Sequence, residues 1–154
     1  SIVPVPVFDR ENVYVCTGYV SSNLLAFGPI RADRPPVIQW QYRKQVPHKA
    51  SPLLVNDRIY FVSDRGGVLT CLNAQSGEAV WRKRLSGGYS ASPILIKDRI
   101  LFFSDEGKAT VFKEGAQFEL ISENQLDGRI QASPAVAGDE LYIRTETDLY
   151  KIAD

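Results

Sequence analysis

The chain of 154 residues balances 18 lysines and arginines against 18 aspartates and glutamates, is 44% hydrophobic, and has one histidine and no methionine. Zero net charge argues against a nucleic-acid or anionic-membrane binder, which normally needs clustered Lys and Arg. No apolar run approaches the roughly 18 residues of a membrane span, and the composition is that of a packed domain.

In chain order, the first expected strand covers residues 2–8, beginning abruptly, and Glu11, Val13 and Tyr14 follow a turn. Residues 28–36, with three prolines and Arg31, Asp33 and Arg34, form a long loop before Trp40. From Pro52 onward the pattern is cleaner. Residues 52–55 are a short apolar run closed by the turn pair Asn56-Asp57. Residues 58–63 alternate β-branched and aromatic side chains, Gly66-Gly67 breaks them, residues 68–72 resume, Ser76-Gly77 turns, and residues 78–85 carry Trp81. Four short strands divided by three tight turns make an antiparallel meander. Proline is tolerable at a strand opening, where one ladder donor is dispensable.

The same unit then recurs. Ala50-Ser51-Pro52, Ala91-Ser92-Pro93 and Ala132-Ser133-Pro134 stand 41 residues apart, in the range typical of four-stranded propeller blades. Pro6, Glu11, Val13 and Tyr14 belong to an earlier copy with a longer insertion. In the third unit the last turn shortens to Lys113-Glu114-Gly115 and the tryptophan is lost, leaving Phe118 or Leu120 to take the packing role. The fourth unit stops after its third strand, residues 148–152. A four-stranded sheet standing alone leaves both faces bare, so neighbouring copies must stack face to face. Trp81 and Trp40, one period apart, are the expected plugs between blades. The fold expected is therefore an all-β propeller of four-stranded antiparallel blades with low helix content.

The turn before Trp81 reads Leu72, Asn73, Ala74, Gln75, Ser76, Gly77, Glu78, Ala79, Val80, Trp81. It resembles the tryptophan-docking pattern of the PQQ-like, or quinoprotein-like, repeat, Leu-Asp-Ala-x-Thr-Gly-x-x-x-Trp, with two conservative departures. Trp40, Gly77 and Trp81 are the residues this resemblance marks for blade docking. WD40 and kelch propellers share the period class, but this chain has neither a Trp-Asp dipeptide nor paired glycines in every unit. The resemblance implies a ring of seven or eight blades. Residues 1–154 then form part of one propeller domain of about 3.75 blades, at roughly 2–44, 50–85, 91–126 and 132–154, the last incomplete. The expectation is the C-terminal half of a longer protein whose remainder closes the ring; the alternative is two copies pairing into one.

Propellers of this kind build their functional face from the loops between blades, here 44–49, 86–90 and 127–131, and from those joining second to third strands, here 17–23, 64–67, 105–108 and 145–148. The candidate ligand residues on this funnel rim are His48, Arg65, Tyr89 and Arg129, suited to a protein or a small polar ligand. His48 is the one side chain that titrates near neutrality in its unperturbed state, but without an identifiable nucleophile it assigns no catalytic residue. Cys16, Cys71 and His48 cannot supply a four-ligand metal centre; the cysteines read as buried strand thiols, with a disulfide between them left open. The Asp57-Arg58 and Asp98-Arg99 pairs read as turn residues, and Ser51, Ser92 and Ser133, repeated in every unit, read as architecture.

The resemblance implies a non-catalytic binding or protein-interaction scaffold, periplasmic or extracellular, with no cofactor expected for this chain. The alternatives are a fragment of an alcohol or sugar dehydrogenase dependent on PQQ and calcium, and a carbohydrate-binding propeller that uses funnel aromatics. The dehydrogenases add a calcium-binding acidic cluster and, in many, an adjacent cysteine pair, and neither is found in this sequence.

Overall fold

The structure, a computed structural model, describes residues 3–18 and 21–153. Among them there is no helix, and hence none long and apolar enough to cross a membrane. Fifteen strands form four antiparallel sheets. Blade 1 contains β1 (Val7–Phe8), β2 (Val13–Thr17), β3 (Asn23–Gly28) and β4 (Val37–Tyr42). Blade 2 contains β5 (Leu53–Val55), β6 (Arg58–Val62), β7 (Val68–Asn73) and β8 (Ala79–Arg84). Blade 3 contains β9 (Ile94–Ile96), β10 (Arg99–Phe103), β11 (Lys108–Lys113) and β12 (Glu119–Gln125); blade 4 has β13 (Ala135–Ala137), β14 (Glu140–Arg144) and β15 (Leu149–Ile152). This is the expected propeller architecture, with sheets that do not close into a ring.

The period-2 alternation of each strand divides its side chains between two neighbours. On β6, Ile59 and Phe61 pack against blade 1 with Tyr14, Cys16 and Leu24, whereas Tyr60 and Val62 pack against blade 3 with Ile100 and Phe102. On β10 the other set, Leu101 and Phe103, meets Ile143 of blade 4. The core is thus three layers between blades. Each fully buried Phe or Tyr in it contributes about 1.5–3 kcal/mol by leaving water.

Two longer connections lock the layers. The Trp40 indole N–H of blade 1 donates to Ala74 O of blade 2 at 2.9 Å, and that of Trp81 in blade 2 donates to Gly115 O of blade 3 at 3.1 Å. Both indoles are half-buried, and the Trp81 ring packs on Tyr60, Phe112 and Phe118 with centroids 5.5–5.9 Å away. At the inner edge, the Val5 N–H donates to Ser51 Oγ at 2.9 Å, Ser51 N–H to Ser92 Oγ at 3.0 Å, and Ser92 N–H to Ser133 Oγ at 2.9 Å. The repeated serines form one belt through all four blades.

Several details differ from the sequence expectation. The first strand is only Val7–Phe8: Pro4 and Pro6 supply no N–H to a ladder, and Ile2 lies outside the described residues. In blade 3 the ladder position matching Trp81 is Ser122, since Cys71 pairs with Trp81 and Val111 with Ser122. The connection before β12, residues 114–118, is as long as that before β8, residues 74–78, rather than shortened; Phe118 in it packs backward on Trp81, and Leu120 is 49% exposed, so neither plugs the joint to blade 4. Cys16 and Cys71 are free and buried, in different cores on opposite sides of blade 2. Asp57 and Asp98 do sit in turns, their carbonyls accepting Ala74 N–H at 2.8 Å and Glu114 N–H at 2.9 Å.

Candidate functional site: the loop face

The linkers between blades and the loops joining second to third strands meet on one face, where linkers 86–90 and 127–131 are stitched by backbone hydrogen bonds to the neighbouring hairpin loops and linker 44–49 is held through side chains. Tyr89 N–H donates to Asp64 O at 2.9 Å, Asp105 N–H to Gly88 O at 2.8 Å, and Glu146 N–H to Arg129 O at 3.0 Å. The carboxylates of this face reinforce the stitching. Asp64 accepts from His48 N–H at 3.1 Å and Lys49 N–H at 3.3 Å, and its Oδ2 lies 3.1 Å from His48 Nδ1. Glu106 Oε1 accepts from Gly88 N–H at 3.2 Å. Slight burial acts against ionisation of Glu106, but that N–H and the charge of Arg129 hold its carboxyl below the usual range.

His48 and Arg65 line one concavity of about 640 Å³, together with Ser22, Gln45, Val46, Lys49, Ser63 and Asp64. A carboxylate only accepts, so the Asp64 contact assigns the ring hydrogen to Nδ1 and leaves Nε2 as the basic atom; Nε2 is enclosed, with no partner among the described residues. An oriented imidazole is half of a nucleophilic device, and the other half would be an adjacent hydroxyl. The hydroxyls lining this concavity are engaged elsewhere: Ser22 donates to Val46 O at 2.6 Å and Ser63 to Arg65 O at 2.9 Å. The geometry fastens a linker; it activates no nucleophile.

The other two rim candidates separate from this pair. Arg129 lines a second concavity, of about 350 Å³, with Arg144 and Glu146. Tyr89 has no exposed surface; it lies in the core between blades 2 and 3, its hydroxyl donating to Ser86 O at 3.3 Å. Burial, with the Glu106 charge nearby, pushes its phenol up to about 12. The aromatic platform on which a carbohydrate reading leaned is therefore not at the surface. Asp64, Lys49 and Ser22 are the site residues that sequence reasoning left unnamed. Asp64 carried a usable signal, standing 41 residues before Asp105 in the matching loop. Among the described residues, no three His, Cys, Asp or Glu side chains gather as metal ligands.

Comparison with known proteins places this geometry. A family model described as outer membrane protein assembly factor BamB matches residues 37–145. The crystal structure of BamB from Moraxella catarrhalis is similar over 96% of this chain and 41% of its own, with a TM-score of 0.73 and 16% identity. A europium-containing methanol dehydrogenase is similar over 80% of this chain and 24% of its own, with a TM-score of 0.66 and 17% identity. The chain thus spans less than half the length of either structure. No curated protein sequence matches it.

Proposed function

The chain belongs to the family described as outer membrane protein assembly factor BamB, and from that premise we propose that it is a non-catalytic PQQ-like propeller segment that binds another protein through its loop face, outside the cytoplasm. The observation that carries this reading is the use made of the one histidine-carboxylate pair. Asp64 and His48 close a linker onto the next blade, and the neighbouring hydroxyls are committed to backbone carbonyls. The BamB likeness over nearly the whole chain supports the same reading.

A second reading, part of an alcohol or sugar dehydrogenase dependent on PQQ and calcium, draws on the likeness to methanol dehydrogenase. The residues present fit that cofactor poorly. Arg65 and Arg129, cations able to meet its carboxylates, sit in separate concavities. Asp64 and Glu106, carboxylates of this face, are held by linker N–H groups.

Photo-crosslinking separates the two. With benzoylphenylalanine in place of Arg65 in the full-length protein in cells, a discrete protein adduct is expected; with the same group at Lys97, in a first-to-second-strand turn, it is not. Equal adducts at both positions, or dye reduction by the purified protein with PQQ, calcium and an alcohol or aldose, overturns the scaffold reading. Fractionation of the full-length protein tests its location: recovery in the cytoplasm removes that part of the proposal.

A further inference from the structure

Charge on the loop face is unevenly divided, although the whole chain is neutral. Over blades 1 and 2 the face presents Arg43, Lys44, Lys49, Arg65 and Arg84, all exposed. The carboxylate among them, Asp64, is already engaged by His48 and the Lys49 N–H. Among the described residues none of these five cations is ion-paired. Their side-chain bonds go to neutral groups: Arg43 to Gln41 at 2.8 Å, Lys49 to Ser90 at 3.4 Å, Arg84 to Gly66 O at 3.2 Å. Over blades 3 and 4 the sign reverses. Asp105, Glu106, Asp127, Glu146 and Asp148 outnumber Arg129 and Arg144 there, and Lys108 is taken by Glu123 at 2.6 Å.

The basic half also carries larger concavities than the one of about 350 Å³ on the acidic half. The concavity of Lys49 and Arg65 adjoins another of about 490 Å³ that Arg43 lines, and the two share Ser22 and His48. The Ser22 hydroxyl, bonded to Val46 O, helps to fix the floor between them. Exposed guanidinium and ammonium groups without counter-charges repel one another and gain most from a partner that supplies carboxylates.

We propose, resting on the scaffold reading above, that this groove takes an acidic peptide segment of a partner protein. The segment lies across Ser22 and His48, with carboxylates on Arg43 at one end and on Lys49 and Arg65 at the other. The uneven charge selects this class of partner. A long uniform polyanion or a flat anionic membrane would also meet the acidic half of the face, whereas a short acidic segment meets only the basic half.

The test uses the full chain and a fluorescein-labelled ten-residue peptide of alternating glutamate and alanine, followed by fluorescence anisotropy. Saturable binding is expected, weakened about tenfold or more by Arg65→Glu and by Lys49→Glu, unchanged by Lys97→Glu, and lost as salt rises from about 50 to about 500 mM. Circular dichroism establishes that each variant is folded. Absence of saturation, equal binding by Arg65→Glu, or binding as tight and as sensitive to Arg65→Glu by an oligonucleotide or phosphatidylglycerol vesicles overturns the proposal. A lysine-alanine or apolar peptide that binds this groove where the acidic one does not also overturns it, while leaving the scaffold reading intact; that reading falls only on the crosslinking and turnover results.

Discussion

The Trp40 indole of blade 1 lies against Gly77 of blade 2 so closely that a Cβ on the glycine would come within 2.5 Å of Trp40 Cδ2. Gly77 has φ of 71°, in the left-handed region, so glycine is required twice, by conformation and by contact. Gly77→Ala is expected to cost about 2–4 kcal/mol, the left-handed penalty plus overpacking. Trp81→Ala should cost about 3–5 kcal/mol, and Trp81→Phe, which forfeits the bond to Gly115 O, roughly 1 kcal/mol or more. Urea melts measure all three; a Gly77→Ala loss below about 0.5 kcal/mol would show that the indole is free to move aside.

The serine belt makes a graded forecast. Ser92 Oγ accepts the part-buried Ser51 N–H, whereas Ser133 Oγ accepts an exposed Ser92 N–H. Ser92→Ala should therefore destabilise by about 1–2 kcal/mol and Ser133→Ala by under about 0.5, because water replaces an exposed acceptor but not an enclosed one. Equal losses for the two would mean that both N–H groups reach water.

Lys97 takes φ of 57° at the turn position where blades 2 and 4 place Asn56 and Gly138. Lysine enters the left-handed region at a cost that asparagine and glycine largely escape. Lys97→Asn is expected to raise stability by about 0.5–1 kcal/mol, read as a higher denaturation midpoint at unchanged slope.

Burial raises both thiols, Cys71 to about 11 and Cys16 to about 12, from an ordinary value of 9. Between pH 9 and those values the unfolded chain has already shed protons that the folded chain keeps. The folded state binds more protons there, so its stability falls as pH rises through that window. Tyr89, raised from 10 to about 12, adds to the loss at the upper end. Stability is expected to be flat with respect to these groups below about pH 8 and to decline above about pH 9. At neutral pH an aromatic disulfide reagent should titrate two thiols after denaturation and react at least about a hundredfold more slowly before it. Finding fewer than two in the denatured chain would indicate a disulfide instead.

Much of this protein was decided locally, and those parts could be read from one strand of text. The 41-residue Ala-Ser-Pro register, the turn pairs and the alternation on residues 58–63 specify strands, hairpins and blades, because turn chemistry and period-2 burial act within a few residues. The Trp81 docking turn was legible for the same reason. The loop face was not. His48 and Asp64, 16 residues apart, meet only when two blades stack; Tyr89 looked like a rim residue and is wholly buried because the neighbouring blade closes over its linker. Ser122 stands one 41-residue period after Trp81, and the ladder register agrees; that Phe118 packs backward on Trp81 while Leu120 lies exposed is decided by the stacking of blades. Burial and charge pairing across blades are properties of two surfaces at once. A single blade's sequence contains one of them, so the basic groove over blades 1 and 2 exists only in the assembled fold.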